Sequence, residues 1–455
     1  MGGRRGRRLP GAPVEIEIDR LSHEGRGIGQ HDDRTAFIQG ALPGETVSAA
    51  IRRRRRRQEE GQALEVRGGR SADRVDPPCP HFGICGGCSM QHMAAAAQRR
   101  HKAETLAELF GYVGGVRPAR WLAPLTGPTA GYRRRARLGV KYVPRKGDRV
   151  LVGFRERFSP FVADIDSCHV LDARVAAVLP ALAELVRGLS IPERIAQIEV
   201  AAGDHEVGLV FRNLRTLTPA DRAALVAFGE RHGMLCFEQP GNEASVAPLG
   251  HARTRLHYRL PDFDLDFAFA PTDFTQINAT INRQMVSQAL ALLDPGPTSR
   301  VLDLFCGLGN FSLPLGTRAG SVIGLEVAES LIERGRENAA ANGIDNVRFI
   351  GADLDAIAPD AHWLGGAVDR VLLDPPRSGA LEALPAIAGL APERIVYVSC
   401  GPSTLARDAG ELVHRYGYQL DCAGIMDMFP HTGHVEAMAL FRRAAGAGQR
   451  AKRGQ

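Results

Sequence analysis

Residues 301–310 read VLDLFCGLGN, a strand-like run that ends in a turn built on Gly307 and Gly309. An apolar strand feeding a glycine turn is how an open α/β sheet holds a nucleotide-like ligand at its carboxyl edge. The next such run, SVIGLEV, carries Glu326 at its end, about the spacing expected for an acid that binds a ribose diol. Two further acids close later strands. Asp353 in RFIGAD is suited to accept from an adenine amine, and Asp374 stands in VLLDPPR. Phe311 follows Asn310 where a nicotinamide loop would more often carry a third glycine, so S-adenosylmethionine fits better. Cys306, beside the turn, is expected to be a buried packing residue.

Downstream, residues 394–404 read RIVYVSCGPST, an apolar strand that delivers Cys400 to the same edge, and Glu436 follows in FPHTGHVEAMALF. C5 of uracil is a poor nucleophile until C6 is attacked. A soft thiolate bonded to C6 makes the ring an enolate whose C5 takes a methyl group in line. C5 then still carries hydrogen, and a carboxylate must remove it before the thiol leaves. Cys400 and Glu436 are the candidates for these roles, with helix amides beyond Gly401 expected to favour the thiolate. Cys236 and Cys422 lack such surroundings. Phe274 could offer a stacking face to an extruded base or serve as a core residue.

Upstream of the catalytic stretch the chain changes character. Its 455 residues exceed one core, so two or three domains are expected. Residues 14–69 alternate apolar and polar positions between Gly, Pro and Asp-Asp turns, an all-β barrel pattern. The Gly25-x-Gly27-x-Gly29 run within it has no following helix and is expected to form a hairpin. Residues 98–110 predict an amphipathic helix. From 131 to 266 strand-like and helical runs, the latter at 174–187 and 219–231, imply an α+β domain. From 267 onward helix and strand alternate as in a doubly wound parallel sheet.

Net charge is only +6, from 57 Lys+Arg against 51 Asp+Glu. Basic residues nevertheless crowd 4–8, 52–57, 133–137 and 145–157, a footprint for nucleic acid. No run of 18 apolar residues and no apolar N-terminal segment is present, so the expectation is a cytoplasmic protein with no membrane partner. Eight cysteines are not a disulfide scaffold in a chain of this length. Cys79, Cys85 and Cys88 share one loop, and Cys168 is placed to close a four-thiolate site. Spacing leaves a [4Fe-4S] cluster and zinc open, with His81 and His92 as further zinc ligands.

The segments FTQIN, DLFCGLGNF, DPPR, VSCGPSTLARD and FPHTGHVEAM together resemble the bacterial RNA uracil-5-methyltransferases over nearly the whole chain. The resemblance implies Cys400 as nucleophile and Glu436 as general base. It also implies Gln276, Phe305, Asn310, Glu326, Asp353 and Asp374 around S-adenosylmethionine and the target base. PPCPHFGICGGCSMQH is similar to the iron-sulfur loop of the branch that acts on 23S ribosomal RNA, which implies a structural [4Fe-4S] cluster on Cys79, Cys85, Cys88 and Cys168. Residues 14–69 are similar to that branch's TRAM domain. The implied organisation is an OB-like RNA-binding barrel over 10–70, an α+β domain with the iron-sulfur loop over 71–266, and a Rossmann-like class I methyltransferase domain over 267–443. Residues 98–129 are placed to pack with the last. The expected partner is 23S ribosomal RNA, with no obligate protein partner. The alternatives are a transfer-RNA uracil-5-methyltransferase and a non-catalytic iron-sulfur protein that binds RNA or the ribosome.

Overall fold

The computed structural model describes residues 12–144, 147–352 and 366–444. Arginines 4–8, Asp353 and the tail beyond Ala444 lie outside them. Strands β1 (Val14–Leu21), β2 (Gly27–His31), β3 (Arg34–Gln39), β4 (Thr46–Arg54) and β5 (Gln58–Gly68) close into a barrel in the order β1-β2-β3-β5-β4. Alternation turns Ile16, Ile18, Ala36, Ile38, Val47 and Ala49 inward, where all are buried. Gly27 and Gly29 lie within β2, so the glycine run is a hairpin as expected.

The cysteine-rich loop leads into α1 (Ala95–Leu109), and β6 (Arg120–Trp121) follows. A second sheet has the order β12-β11-β10-β9-β7-β8. Its elements are β7 (Arg135–Val143), β8 (Arg149–Gly153), α2 (Ala173–Ala176), α3 (Leu179–Arg187), β9 (Ile195–Ala202), β10 (Val207–Asn213), α4 (Pro219–His232), β11 (Leu235–Gln239) and β12 (Ala247–Pro248). The single helix expected over 174–187 is two. Pro180 falls in the first turn of α3, where its missing N–H costs nothing, and inside one long helix it would break a hydrogen bond. At α4 a reciprocal capping box between Thr218 and Asp221 fixes the start.

The hairpin β13 (Leu256–Leu260) and β14 (Leu265–Phe269) leads into the C-terminal sheet. There follow α5 (Ala279–Leu293), β15 (Arg300–Leu304), α6 (Ser312–Gly316), β16 (Ser321–Glu326), α7 (Glu329–Ala341), β17 (Val347–Gly351), β18 (Arg370–Leu373), α8 (Leu384–Leu390), β19 (Arg394–Ser399), α9 (Pro402–His414), β20 (Tyr418–Met426) and β21 (Glu436–Arg443). The sheet order is β17-β16-β15-β18-β19-β21-β20-β6.

Two apolar clusters cover its faces. One draws Leu106, Phe110, Leu384 and Leu405 from α1, its continuation, α8 and α9. The other draws Phe267, Met285, Leu313 and Phe349 from the hairpin, α5, α6 and β17. A fully buried Leu or Phe contributes about 1.5–3 kcal/mol, so α1 is held to the C-terminal sheet through Leu106 and Leu109.

The wholly parallel sheet expected from the sequence is mixed. β21 runs antiparallel to both β19 and β20. Residues 427–435 are too few for a crossover, which needs about a dozen residues or more, so the chain reverses and inserts β21 between its neighbours. Glu436 therefore begins its strand at the edge where the parallel strands end.

Candidate active site

Ser399 pairs with Ala437 across β19 and β21, so the next residue, Cys400, emerges opposite Glu436. Asp374 leaves the end of β18 and Arg377 follows in the same loop. The four side chains share one electrostatic neighbourhood. Burial raises the Glu436 carboxyl well above its ordinary value, and Asp374 adds to the rise while Arg377 and Lys102 oppose it. Burial likewise pushes Cys400 up to about 11, with Glu436 and Asp374 adding repulsion and Arg377 offsetting part. Asp374 is pushed up to about 7 by burial.

The expectation that helix amides make Cys400 a ready thiolate is therefore corrected. Gly401 donates its N–H to Ser399 Oγ at 3.1 Å, and Pro402 has no N–H to offer. The thiol stays protonated in this arrangement.

The helix after Cys400 carries a buried carboxylate the sequence did not single out. Asp408 on α9 accepts from Tyr397 Oη at 2.7 Å and from the Ala380 amide at 2.8 Å. It ties β19 to the loop that follows Arg377.

At the glycine turn, Gly307 and Gly309 take φ of 56° and 95°. A Cβ on Gly307 would project into open space, the cradle a bound cofactor needs. Phe305 is also left-handed, at φ 62°, a strained conformation for a bulky residue. Glu326 accepts from the Gly307 amide at 3.1 Å, which holds the acid against the turn. Gln276 donates to Asp374 at 3.5 Å. Asn310 is differently occupied: its carbonyl accepts from Tyr258 Oη at 2.9 Å and from Asn282 at 3.0 Å, and its amide donates back to Asn282. One N–H remains to it. Phe274 is 69% exposed, which removes the core role for it. Cys306, Cys236 and Cys422 are buried packing residues, as expected.

A cleft of about 690 Å³ opens onto Cys400. Arg26, Phe37 and Arg53 of the barrel, Arg157 beyond β8, and Arg377 and His434 beside the thiol line its walls. Arginines 52–57 are all exposed on the rim of the barrel. The cluster at 133–137 is largely structural instead. Arg134 pairs with Asp204 at 2.5 Å, and Arg135 is half-buried against the Asp273 carbonyl. Alternation in β7 turns Ala136, Leu138 and Val140 into the core, and the arginines beside them reach acceptors on neighbouring segments instead.

Cys79, Cys85, Cys88 and Cys168 line one small pocket, and all are free thiols. Burial raises Cys85 and Cys88, and the neighbouring thiols add to both shifts. Among the described residues no group of three or more His, Cys, Asp or Glu is arranged to hold a single metal ion. His81 lines the same pocket with its Nε2 2.8 Å from Asp166, and His92 lies outside it.

Residues 251–359 and 363–444 match the tRNA (Uracil-5-)-methyltransferase family, and residues 7–64 match the TRAM domain. The 23S rRNA (uracil(1939)-C(5))-methyltransferase RlmD of Alkalilimnicola ehrlichii is 60% identical over 447 residues, 97% of this chain and 99% of that one. The chain belongs to the RNA uracil-5-methyltransferase family. The RlmD of Nitrosococcus oceani is 51% identical over 95% of this chain and 96% of its own length. Among solved structures, the Pyrococcus abyssi tRNA (uracil-54, C5)-methyltransferase with S-adenosyl-L-homocysteine superposes with a TM-score of 0.72 at 24% identity, covering 94% of this chain and 99% of that one. At that identity the likeness carries the fold. The family's methyltransferase fold and N-terminal TRAM barrel are thus both present.

Proposed function

We propose that this chain is an S-adenosylmethionine-dependent methyltransferase that makes 5-methyluridine in 23S ribosomal RNA. The observation that carries the proposal is the antiparallel register placing Cys400 opposite Glu436, at the mouth of an arginine-lined cleft and at the edge that ends in the Gly307 turn. The names of relatives at 49–60% identity favour the ribosomal substrate over transfer RNA.

The residues act in sequence. The cleft takes a single-stranded RNA segment, and Phe274 offers a stacking face beside the extruded uridine. Cys400 gives its proton to solvent through the open cleft as substrate and donor assemble, and the sulfur pair bonds to C6 while the C5–C6 π pair moves into the ring enolate. When bound, S-adenosylmethionine supplies an electrophilic methyl on a sulfonium. Asp374, Glu326, Gln276, Phe305, Asn310 and Asp353 are assigned to hold that donor and the base in line. Raised acids beside the site suit a cation, because a sulfonium favours the ionised carboxylates that burial disfavours. Glu436 then takes the C5 proton. The C–H pair becomes the C5–C6 π bond and the C6–S pair leaves with Cys400.

We assign Cys79, Cys85, Cys88 and Cys168 to a [4Fe-4S] cluster. Zinc bonds four sulfurs about 2.3 Å from one point. The four free thiols line one pocket, and the likeness of their loop to the iron-sulfur loop of the ribosomal branch is what favours the cluster over zinc. It would supply cross-linking of the loop, with no electron transferred in the methylation. The domain assignment follows: residues 10–70 bind RNA, 71–266 carry the cluster, and 267–443 perform transfer, with 98–129 docked on the last. Among the described residues no helix is long and apolar enough to cross a membrane, and we assign the protein to the cytoplasm with no obligate protein partner.

Incubation with methyl-labelled S-adenosylmethionine and purified 23S rRNA or transfer RNA tests the proposal. Label in 5-methyluridine of 23S rRNA is expected, and label confined to transfer RNA, or to neither, overturns it.

A further inference from the structure

Glu436 is delivered by the turn over residues 427–435, and that turn is fastened almost entirely from outside its own sheet. Lys102 on α1 is 1% exposed. Its ammonium donates to Asp427 Oδ1 at 2.8 Å and to the Phe429 carbonyl at 2.9 Å. One turn earlier on the same face, Gln98 is equally buried. Its carbonyl accepts the His431 amide at 2.8 Å, while its amide reaches back to the Met90 and Met93 carbonyls at 2.9 and 2.7 Å. Ser89 and Met90, directly after Cys88, donate their amides to the His431 carbonyl at 2.8 and 2.9 Å. Tyr132 donates to the Pro430 carbonyl at 2.9 Å. His431 is held at φ 66°, a left-handed conformation that such contacts must maintain.

We infer that α1 and the cysteine-rich loop act as a brace for the turn that delivers Glu436, with Lys102 as the positioning residue that keeps a positive charge behind this carboxylate. The inference rests on Glu436 being the base of the proposed reaction. Met426 pairs with Glu436 across β20 and β21, and Asp427 follows Met426, so the Lys102–Asp427 pair lies directly behind the strand start. The charged and titratable groups around Glu436 are Asp374 and Cys400, which raise its proton affinity or are raised by it, and Arg377 and Lys102, which lower it, with Asp427 and Arg99 standing behind Lys102. Arg377 faces the cleft, where it meets His434 Nδ1 at 3.3 Å. Lys102 is committed. Its charge favours the ionised Glu436 that must take the C5 proton, so the elimination step depends on it more than methyl transfer does.

The test uses the full-length protein with its native metal content and 23S rRNA. Lys102→Met leaves Asp427 with Arg99 at 3.8 Å, and the paired variant Lys102→Met/Asp427→Asn, which removes both charges, is measured beside it to separate loss of charge from loss of the buried pair. Glu436→Gln serves as the reference. Single-turnover methyl transfer and survival of the methylated covalent protein–RNA adduct on denaturing gels are followed across pH. In Lys102→Met, which loses the positive charge alone, the adduct is expected to persist about tenfold longer for each unit by which the Glu436 proton affinity rises, and in the paired variant, which removes opposite charges together, the effect is expected to be smaller. The rising limb of elimination is expected to move to higher pH, with methyl transfer much less affected. Lys102→Arg should restore part of the rate. Equal slowing of both steps, or an unmoved pH limb, overturns the role of Lys102. If Glu436→Gln also accumulates no adduct, the base assignment itself falls and takes the inference with it.

Discussion

Replacing Glu436 with glutamine removes one negative charge and little shape, and its effects on stability and on catalysis should point in opposite directions. Burial and Asp374 hold the carboxyl well above its ordinary 4.5. A group with a raised folded value binds more protons in the native than in the unfolded state. The stability it contributes is complete below about pH 4.5 and is lost as pH climbs toward the folded value. Within that window wild type gives up as much as about 1.4 kcal/mol per pH unit at this one side chain, whereas glutamine does not titrate. Denaturant unfolding should find the two proteins closest near pH 4.5 and Glu436→Gln the more stable at pH 7, with a gap that widens with pH. Catalysis should move the other way. Loss of a positioned base costs about 10²–10⁴-fold in proton transfer, while sulfur attack and methyl transfer keep their machinery. RNA carrying the new methyl group should then stay bonded to Cys400 through denaturing electrophoresis. Free methylated RNA at the wild-type rate would falsify the base assignment, and a variant less stable than wild type at pH 7 would refute the electrostatic argument.

Cys400→Ala should abolish both the adduct and methylation while equilibrium dialysis still finds S-adenosylmethionine bound; turnover near wild type in that variant excludes the nucleophile. Because Asp374 is pushed up to about 7, binding of the cationic donor should tighten as pH rises from 6 to 8, by at most about tenfold per unit for one proton released. Calorimetry should show a flatter profile for neutral S-adenosylhomocysteine, and identical profiles would argue against Asp374 facing the sulfonium. Cys88→Ser in anaerobically purified protein should lower iron content and visible absorption, with the buried Cys422→Ser as an unaffected control; zinc without iron in the wild type overturns the cluster assignment.

The parts of this molecule that were legible in the sequence are those whose chemistry is local. A strand running into Gly307-x-Gly309 needs only a few neighbours to define it, and residues 394–404 announce a strand end with a thiol for the same reason. The barrel was legible because alternation has a period of two and its inward positions are short apolar residues. Illegible were the features that depend on which element lands beside which. The antiparallel insertion of β21 is set by the shortness of the 427–435 turn, and it alone brings Glu436 to the edge that carries Cys400. Arg134 and Arg135 looked like a phosphate surface because sequence gives charge without direction.

Lys102 was missed for a related reason, although a signal existed. Gln98, Lys102, Leu106 and Leu109 recur at helical spacing and are all buried, so the lysine sits on the apolar stripe of α1. A lysine there is too costly to bury unless a carboxylate meets it, and Asp427, more than three hundred residues later, is that partner. A buried charge on a helix remote in sequence from the catalytic strands thus indicates why the N-terminal segments and the methyltransferase sheet belong to one machine. The cysteine loop and α1 serve the C-terminal sheet directly, because the contacts that seat them against residues 427–433 are also the ones that fix where the strand of Glu436 begins.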